Sequence, residues 1–216
     1  MNVPIDLGRR RGLALLGASG LWLSLSGCVS VGHSSGLQVH HRLHDVGPPP
    51  QALPKPLVNA LLIQVLPGDA LADSHTMAYA RAPQQFAFYQ QSQWLERPSR
   101  MVASLLTRRL EARGLAAALG RLGGPLQADW LLSLSLEDVH HDFASPPGLG
   151  RLNLRAELLD RRQRQRQAQL RLSLQAAATS ADAAGAAQAL SQALSQGLDQ
   201  LLPLLESELR RAGAAS

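Results

Sequence analysis

Across 216 residues there is one thiol, Cys28, set directly behind Leu25, Ser26 and Gly27. One cysteine forms no internal disulfide, so the chemistry open to it is that of a thiolate nucleophile. Two histidine groups are the other places where chemistry would concentrate. His40 and His44, in "HHRLH", have the i, i+4 spacing of a metal pair on a helix, but Asp45 is the only acidic or sulfur partner nearby and prolines follow closely. Asp138, His140, His141 and Asp142 stand together at the end of an alternating segment, where neighbouring side chains point to opposite faces. A shared site there is disfavoured, and a solvated strand end is expected. The sequence has no G-x-S-x-G elbow and no H-E-x-x-H, and "LGRLGGPL" lacks the Lys-Ser/Thr of a phosphate loop. No catalytic residues, cofactor or metal are therefore assigned, and the chain is not expected to be an enzyme.

The start of the chain explains the thiol. Arg9, Arg10 and Arg11 form a basic region, residues 13–25 form an apolar run, and small residues follow, which is the plan of a secretory signal. The apolar run is short of the about 20 residues that a transmembrane helix needs. Leu25-Ser26-Gly27-Cys28 resembles the bacterial lipobox. That resemblance implies diacylglycerol on the Cys28 sulfur, cleavage before Cys28 and acylation of the new amino group. Two or more acyl chains give stable membrane attachment where one gives only marginal binding. Val29 rather than Asp follows the cysteine, which by the sorting rule for such lipoproteins implies the outer membrane, periplasmic face.

The formal charge of +5 does not point to nucleic acid. Residues 1–27 hold three arginines against Asp6, so +3 remains without them. The largest later basic block, "RRQRQRQ" from Arg161, has no aromatic side chains for stacking on bases and reads as a solvated loop.

Residues 28–57 are rich in Gly, Ser, His and Pro without sustained periodicity, and a flexible tether is expected. A domain should occupy residues 58–213. Residues 60–68 read as a buried strand stopped by Pro67 and Gly68. Tyr79, Phe86, Phe88 and Tyr89 lie on two short arms around Pro83 and Gln84, the pattern of a hairpin. A helix should begin at Pro98, bury Met101, Val102, Leu105, Leu106 and Leu110, and end at Gly114. Three alternating segments follow, carrying Leu132, Leu134 and Leu136, then Leu152, Leu154 and Leu158, then Leu170, Leu172 and Leu174. A final helix over about residues 182–211 has one apolar stripe, with Pro203 expected to kink or divide it. The sum is an α+β fold: a mostly antiparallel sheet with two helices packed on one face.

The lipobox, the Pro-rich segment, the strand "LLIQVLP", the Tyr-rich hairpin and Trp94-Leu95-Glu96-Arg97-Pro98 together resemble the ABC-type transport auxiliary lipoproteins, the paraquat-inducible protein C-like family. In that family an aromatic hairpin leads to a Trp-small-acidic-Pro segment before the first helix, and Trp94, Glu96 and Pro98 occupy matching places. An arginine commonly follows the hairpin tyrosine directly; here Ala80 intervenes and the arginine is Arg81. The resemblance implies a fold similar to the N-terminal domain of TolB. It also implies service to an ABC permease and ATPase with an MCE-domain protein that moves lipid between membranes. Tyr79, Tyr89 and Trp94 are the candidate partner-binding residues, with a core or hairpin-packing role the preferred reading of Trp94, and self-association into a ring is compatible with the resemblance. Two other readings fit a lipid-anchored domain: an adaptor for cell-wall synthesis or secretion-channel assembly, and a hydrolase.

Overall fold

The computed structural model describes residues 37–214, with side chains for residues 37–212. Leu25, Ser26, Gly27 and Cys28 lie outside the described residues. In chain order the elements are β1 (Val39–His41), β2 (Val58–Pro67), a 3-10 turn (Leu71–Asp73), β3 (Thr76–Ala82) and β4 (Gln85–Trp94). Then come α1 (Pro98–Arg113), β5 (Ala116–Arg121), β6 (Trp130–Asp142), β7 (Leu149–Asp160), β8 (Gln165–Ala177) and α2 (Ala183–Ala214).

Strands β6, β7 and β8 form a long antiparallel meander. Its alternation makes leucines meet across the ladder, Leu136 opposite Leu154 and Leu154 opposite Leu172. These inward leucines are buried, each worth roughly 1.5–3 kcal/mol. The other edge of β6 is divided. Its first half pairs in parallel with β2, and its far end pairs in parallel with β3 through Tyr79 opposite His141 and Ala80 opposite Asp142. β5 flanks β2 in parallel, β4 flanks β3 antiparallel, and β1 lies parallel to β4. The result is an eight-stranded sheet, mostly antiparallel with parallel pairs, carrying both helices.

Local chemistry sets the helix ends. Pro98 opens α1. At its close Gly114 takes φ 67, the Gly114 N–H donates to Glu111 O and the Leu115 N–H to Leu110 O. That is a Schellman ending, with Leu110 and Leu115 both buried as its hydrophobic contact. Asp182 caps α2 by accepting from the Gly185 N–H at 2.8 Å. The stripe Leu190, Leu194, Leu198, Leu201, Leu205 and Leu209 is buried throughout. Pro203 does not divide α2, which runs as one helix with the ring on its exposed side.

Residues 37–57 differ from the expected tether. Val39–His41 joins the sheet, Leu43 is 1% exposed, and the following chain crosses both helices. The His44 and Val46 N–H groups donate to the hydroxyls of Ser191 and Ser195. Arg109 grips Asp45 through two nitrogens, at 2.6 and 2.5 Å, and also reaches Asp199 at 2.5 Å. Arg113 donates to the Gln51 carbonyl while paired with Glu206. The segment lacks periodicity because helix side chains distant in sequence, rather than a ladder of its own, satisfy much of its backbone.

Candidate partner-binding site

The β3–β4 hairpin turns at Gln84, which takes φ 64. Alternation then sends Tyr79 and Arg81 from one arm, and Tyr89 from the other, toward the end of β6. The Tyr79 and Tyr89 rings lie 5.0 Å apart, and Phe143 completes the group, 6.3 Å from Tyr79 and 5.2 Å from the His141 ring.

His141 is the fixed point of this cluster and is fully buried. Its Nε2 lies 2.9 Å from the Pro147 carbonyl, which can only accept, so the ring proton sits on Nε2. Nδ1 is then left to accept from the Tyr89 hydroxyl at 2.7 Å. Burial holds the His141 imidazole below its ordinary pKa, against the opposing pull of the Pro147 carbonyl and Asp142. Burial, with Asp182 and Tyr79 adding to it, pushes the Tyr89 phenol up to about 12. Gly148, at φ 95, passes so close that a Cβ there would lie 2.5 Å from the Asp142 carbonyl oxygen. Only glycine fits that approach.

A neutral, doubly hydrogen-bonded His141 has no free nitrogen for general base chemistry. It locks the hairpin to β6 and so presents Tyr79 and Arg81. The Arg81 guanidinium lies 5.5 Å above the Tyr79 ring centroid and 5.8 Å from that of Phe143. Arg81 is exposed and has no carboxylate partner among the described residues. An aromatic-backed cation of this kind is suited to an acidic or aromatic partner surface.

Trp94 is 2% exposed and sits in the core, the role the sequence favours for it over partner binding. Its amide donates to the His75 carbonyl at 2.7 Å. His140 and His141 do point to opposite faces, but neither lies free in solvent: His141 is 0% exposed, and His140, at 9%, keeps only a small accessible edge. The expectation of a solvated strand end fails because β3 and β4 pack over this end of β6, a pairing of distant segments. A register shift between Leu136 and Asp138 also exchanges the faces, placing Val139 and His141 inside. His40 lies on β1 and His44 in the irregular chain after it, neither on a helix. Among the described residues no cluster of three His, Cys, Asp or Glu side chains is placed to hold a metal, and no helix is long and apolar enough to cross a membrane.

The locked imidazole predicts a pH dependence. Its unfolded pKa is about 6.5 and its folded value is lower, so below about pH 6.5 the unfolded chain binds a proton that the native state refuses. Stability should fall as pH drops through that window, by up to about 1.4 kcal/mol per pH unit for one proton. His41, also held low chiefly by burial, acts in the same direction. Urea unfolding at pH 7.5, 6.5 and 5.5 checks this, and His141→Gln should flatten the dependence. A midpoint that rises on acidification would contradict it.

No curated protein matches the chain. Among solved structures it is similar to protein XCC0632 from Xanthomonas campestris, of the family designated DUF330, at 20% identity and TM-score 0.67. That match covers 82% of this chain and 97% of the other. It is also similar to the crystal structure of an uncharacterized protein at 15% identity and TM-score 0.58, covering 78% and 99%. These likenesses support the fold. The model of the ABC-type transport auxiliary lipoprotein component matches residues 43–201, beginning inside the arm formed by residues 37–57 and ending in α2. The chain therefore belongs to the ABC-type transport auxiliary lipoprotein family.

Proposed function

We propose that this protein is held on the periplasmic face of the outer membrane by lipid on Cys28, and serves an ABC/MCE-type system that moves lipid between membranes. The observation that carries the reading is the family match across residues 43–201, joined to the Leu25-Ser26-Gly27-Cys28 motif ahead of it. Leu37, the first described residue, lies nine positions after Cys28. Nine residues span at most about 30 Å, so the domain would stay close to its membrane.

The Arg81 and Tyr79 surface is the one offered to the MCE-domain protein. Tyr89 and Trp94 act from beneath it by fixing β4. Affinity purification of the tagged full-length lipoprotein from detergent-solubilised membranes of its native host tests this. An MCE-domain protein should be recovered, and Arg81→Glu should reduce that recovery at least about tenfold, the equivalent of about 1.4 kcal/mol. Recovery of cell-wall synthases or secretion-channel components without an MCE protein would contradict the proposal.

A further inference from the structure

The face of the sheet opposite the helices carries a second constellation that the transport reading does not use. Pairing of β6, β7 and β8 sets Asp138, Asn153 and Ser173 in one row and His140, Arg151 and Gln175 in the next. Phe86, on the hairpin, forms a wall beside them, its ring 5.2 Å from that of His140 and edge to face with it. Together these side chains border a groove of about 480 Å³, a size that suits a small organic ligand.

The groove is organised before anything enters it. Asp138 Oδ1 lies 2.7 Å from His140 Nδ1. A carboxylate accepts, so the ring proton is held on Nδ1 and Nε2 presents a lone pair. Although His140 is only 9% exposed, its Nε2 has no hydrogen-bond partner among the described residues. No buried side-chain nitrogen or oxygen among them is left without a partner, so Nε2 is not sealed in and opens on the groove that His140 lines. At the end of the same strand Asp142 Oδ2 accepts from Nε of Arg151 on β7 at 2.6 Å, leaving both Arg151 terminal nitrogens without a partner among the described residues. Burial would raise the Asp142 carboxyl, but hydrogen bonds from the Ala144 amide and Arg151 outweigh it and hold the group below its usual range.

Charge narrows the ligand. The fixed charges are two carboxylates against one guanidinium, a balance of one negative charge, which disfavours phosphate, sulfate and anionic lipid headgroups. Topology narrows it further. β6 and β7 are interior strands whose backbones are paired, so over Asp138, His140, Asn153 and Arg151 a ligand meets side chains only, while β8, which brings Ser173 and Gln175, is a sheet edge. What remains is a set of donors and acceptors pointing in several directions beside a half-exposed aromatic ring. Hydroxyls match the first, and the slightly positive C–H groups of a pyranose match the negative face of the second. We propose that this groove binds an uncharged saccharide, with His140 Nε2 accepting from a hydroxyl, Arg151 donating to one, and Phe86 stacking on a sugar ring. The inference stands apart from the transport reading.

Two sources supply such sugars, a cell-wall glycan strand and the saccharide of a surface glycolipid, and two probes separate them. The full-length protein in a detergent without a sugar headgroup is titrated with chitotetraose and with the delipidated neutral core oligosaccharide of its host's glycolipid. One probe should bind with Kd at or below about 1 mM. Phe86→Ala and His140→Gln should each weaken it at least about tenfold, while Leu122→Ala, at an unrelated exposed position, should leave it unchanged. Because Phe86 is 47% exposed, its variant keeps the test informative even if the histidine variant folds poorly. Absence of binding by both probes at about 10 mM, or affinity unchanged in Phe86→Ala, overturns the proposal.

Discussion

Arg109→Ala is expected to lower the stability of the domain by about 3 kcal/mol, because it leaves the partly buried Asp45 carboxylate without its cation, while Asp199 is exposed and adds little. The Arg109 side chain is 2% exposed, and its contacts join three segments: the arm at Asp45, α1 on which it sits, and α2 at Asp199. Its hydrogen bond with Asp45 is the largest influence raising the guanidinium above its ordinary pKa. On Asp45, burial pushes the carboxyl up, but the bonds from Arg109, Ser195 and Gly47 prevail and hold it low. That part of the stability is fully present above the unfolded carboxyl value of about 3.9 and is lost as pH falls through the lower folded value. Lysine should not rescue the variant, because a single ammonium cannot reproduce the forked contact to Asp45 and Asp199 together. Urea unfolding measures the change. A loss under about 1 kcal/mol would mean that the arm is not clamped through this residue.

Trp94→Ala should cost a similar amount, about 3–5 kcal/mol, for a different reason. The indole is 2% exposed in the core where β4 ends and β1 pairs with it, so truncation leaves a cavity. Trp94→Phe should recover a large part of the loss by refilling much of that volume. If alanine were tolerated within about 1 kcal/mol, the ring would belong to a partner surface rather than to the core. The consequence for function is indirect: a loosened β4 would release Tyr89 from His141 and blur the placement of Arg81.

Much of this architecture was legible in the sequence because it is local. The alternating leucines of β6, β7 and β8, the stripe along α2, and the Pro98 and Gly114 ends of α1 each state their structure within a few residues. The hairpin around Gln84 did so as well, and with it the two tyrosines. What was not legible depends on pairing between distant segments. The parallel neighbours of β2 leave no mark on its apolar run, and β5 is an alanine-rich stretch that gains its strand character from β2. The arm at residues 37–57 reads as linker because Ser191, Ser195, Arg109 and Arg113, which hold it, lie far along the chain. The roles of His140 and His141 were hidden for the same reason. Alternation separated the two rings correctly, but the hairpin that buries His141 and walls the groove beside His140 is brought there by two parallel register pairs.

Cys28 is where placement and function meet, and mass spectrometry of the protein isolated from its native host tests it most directly. Chain beginning at Cys28, with a diacylglycerol on sulfur and an acyl group on the amino end, is the predicted result. A bare thiol, or residues 1–27 still attached, would contradict the lipid anchor and with it the proposed station on the outer membrane.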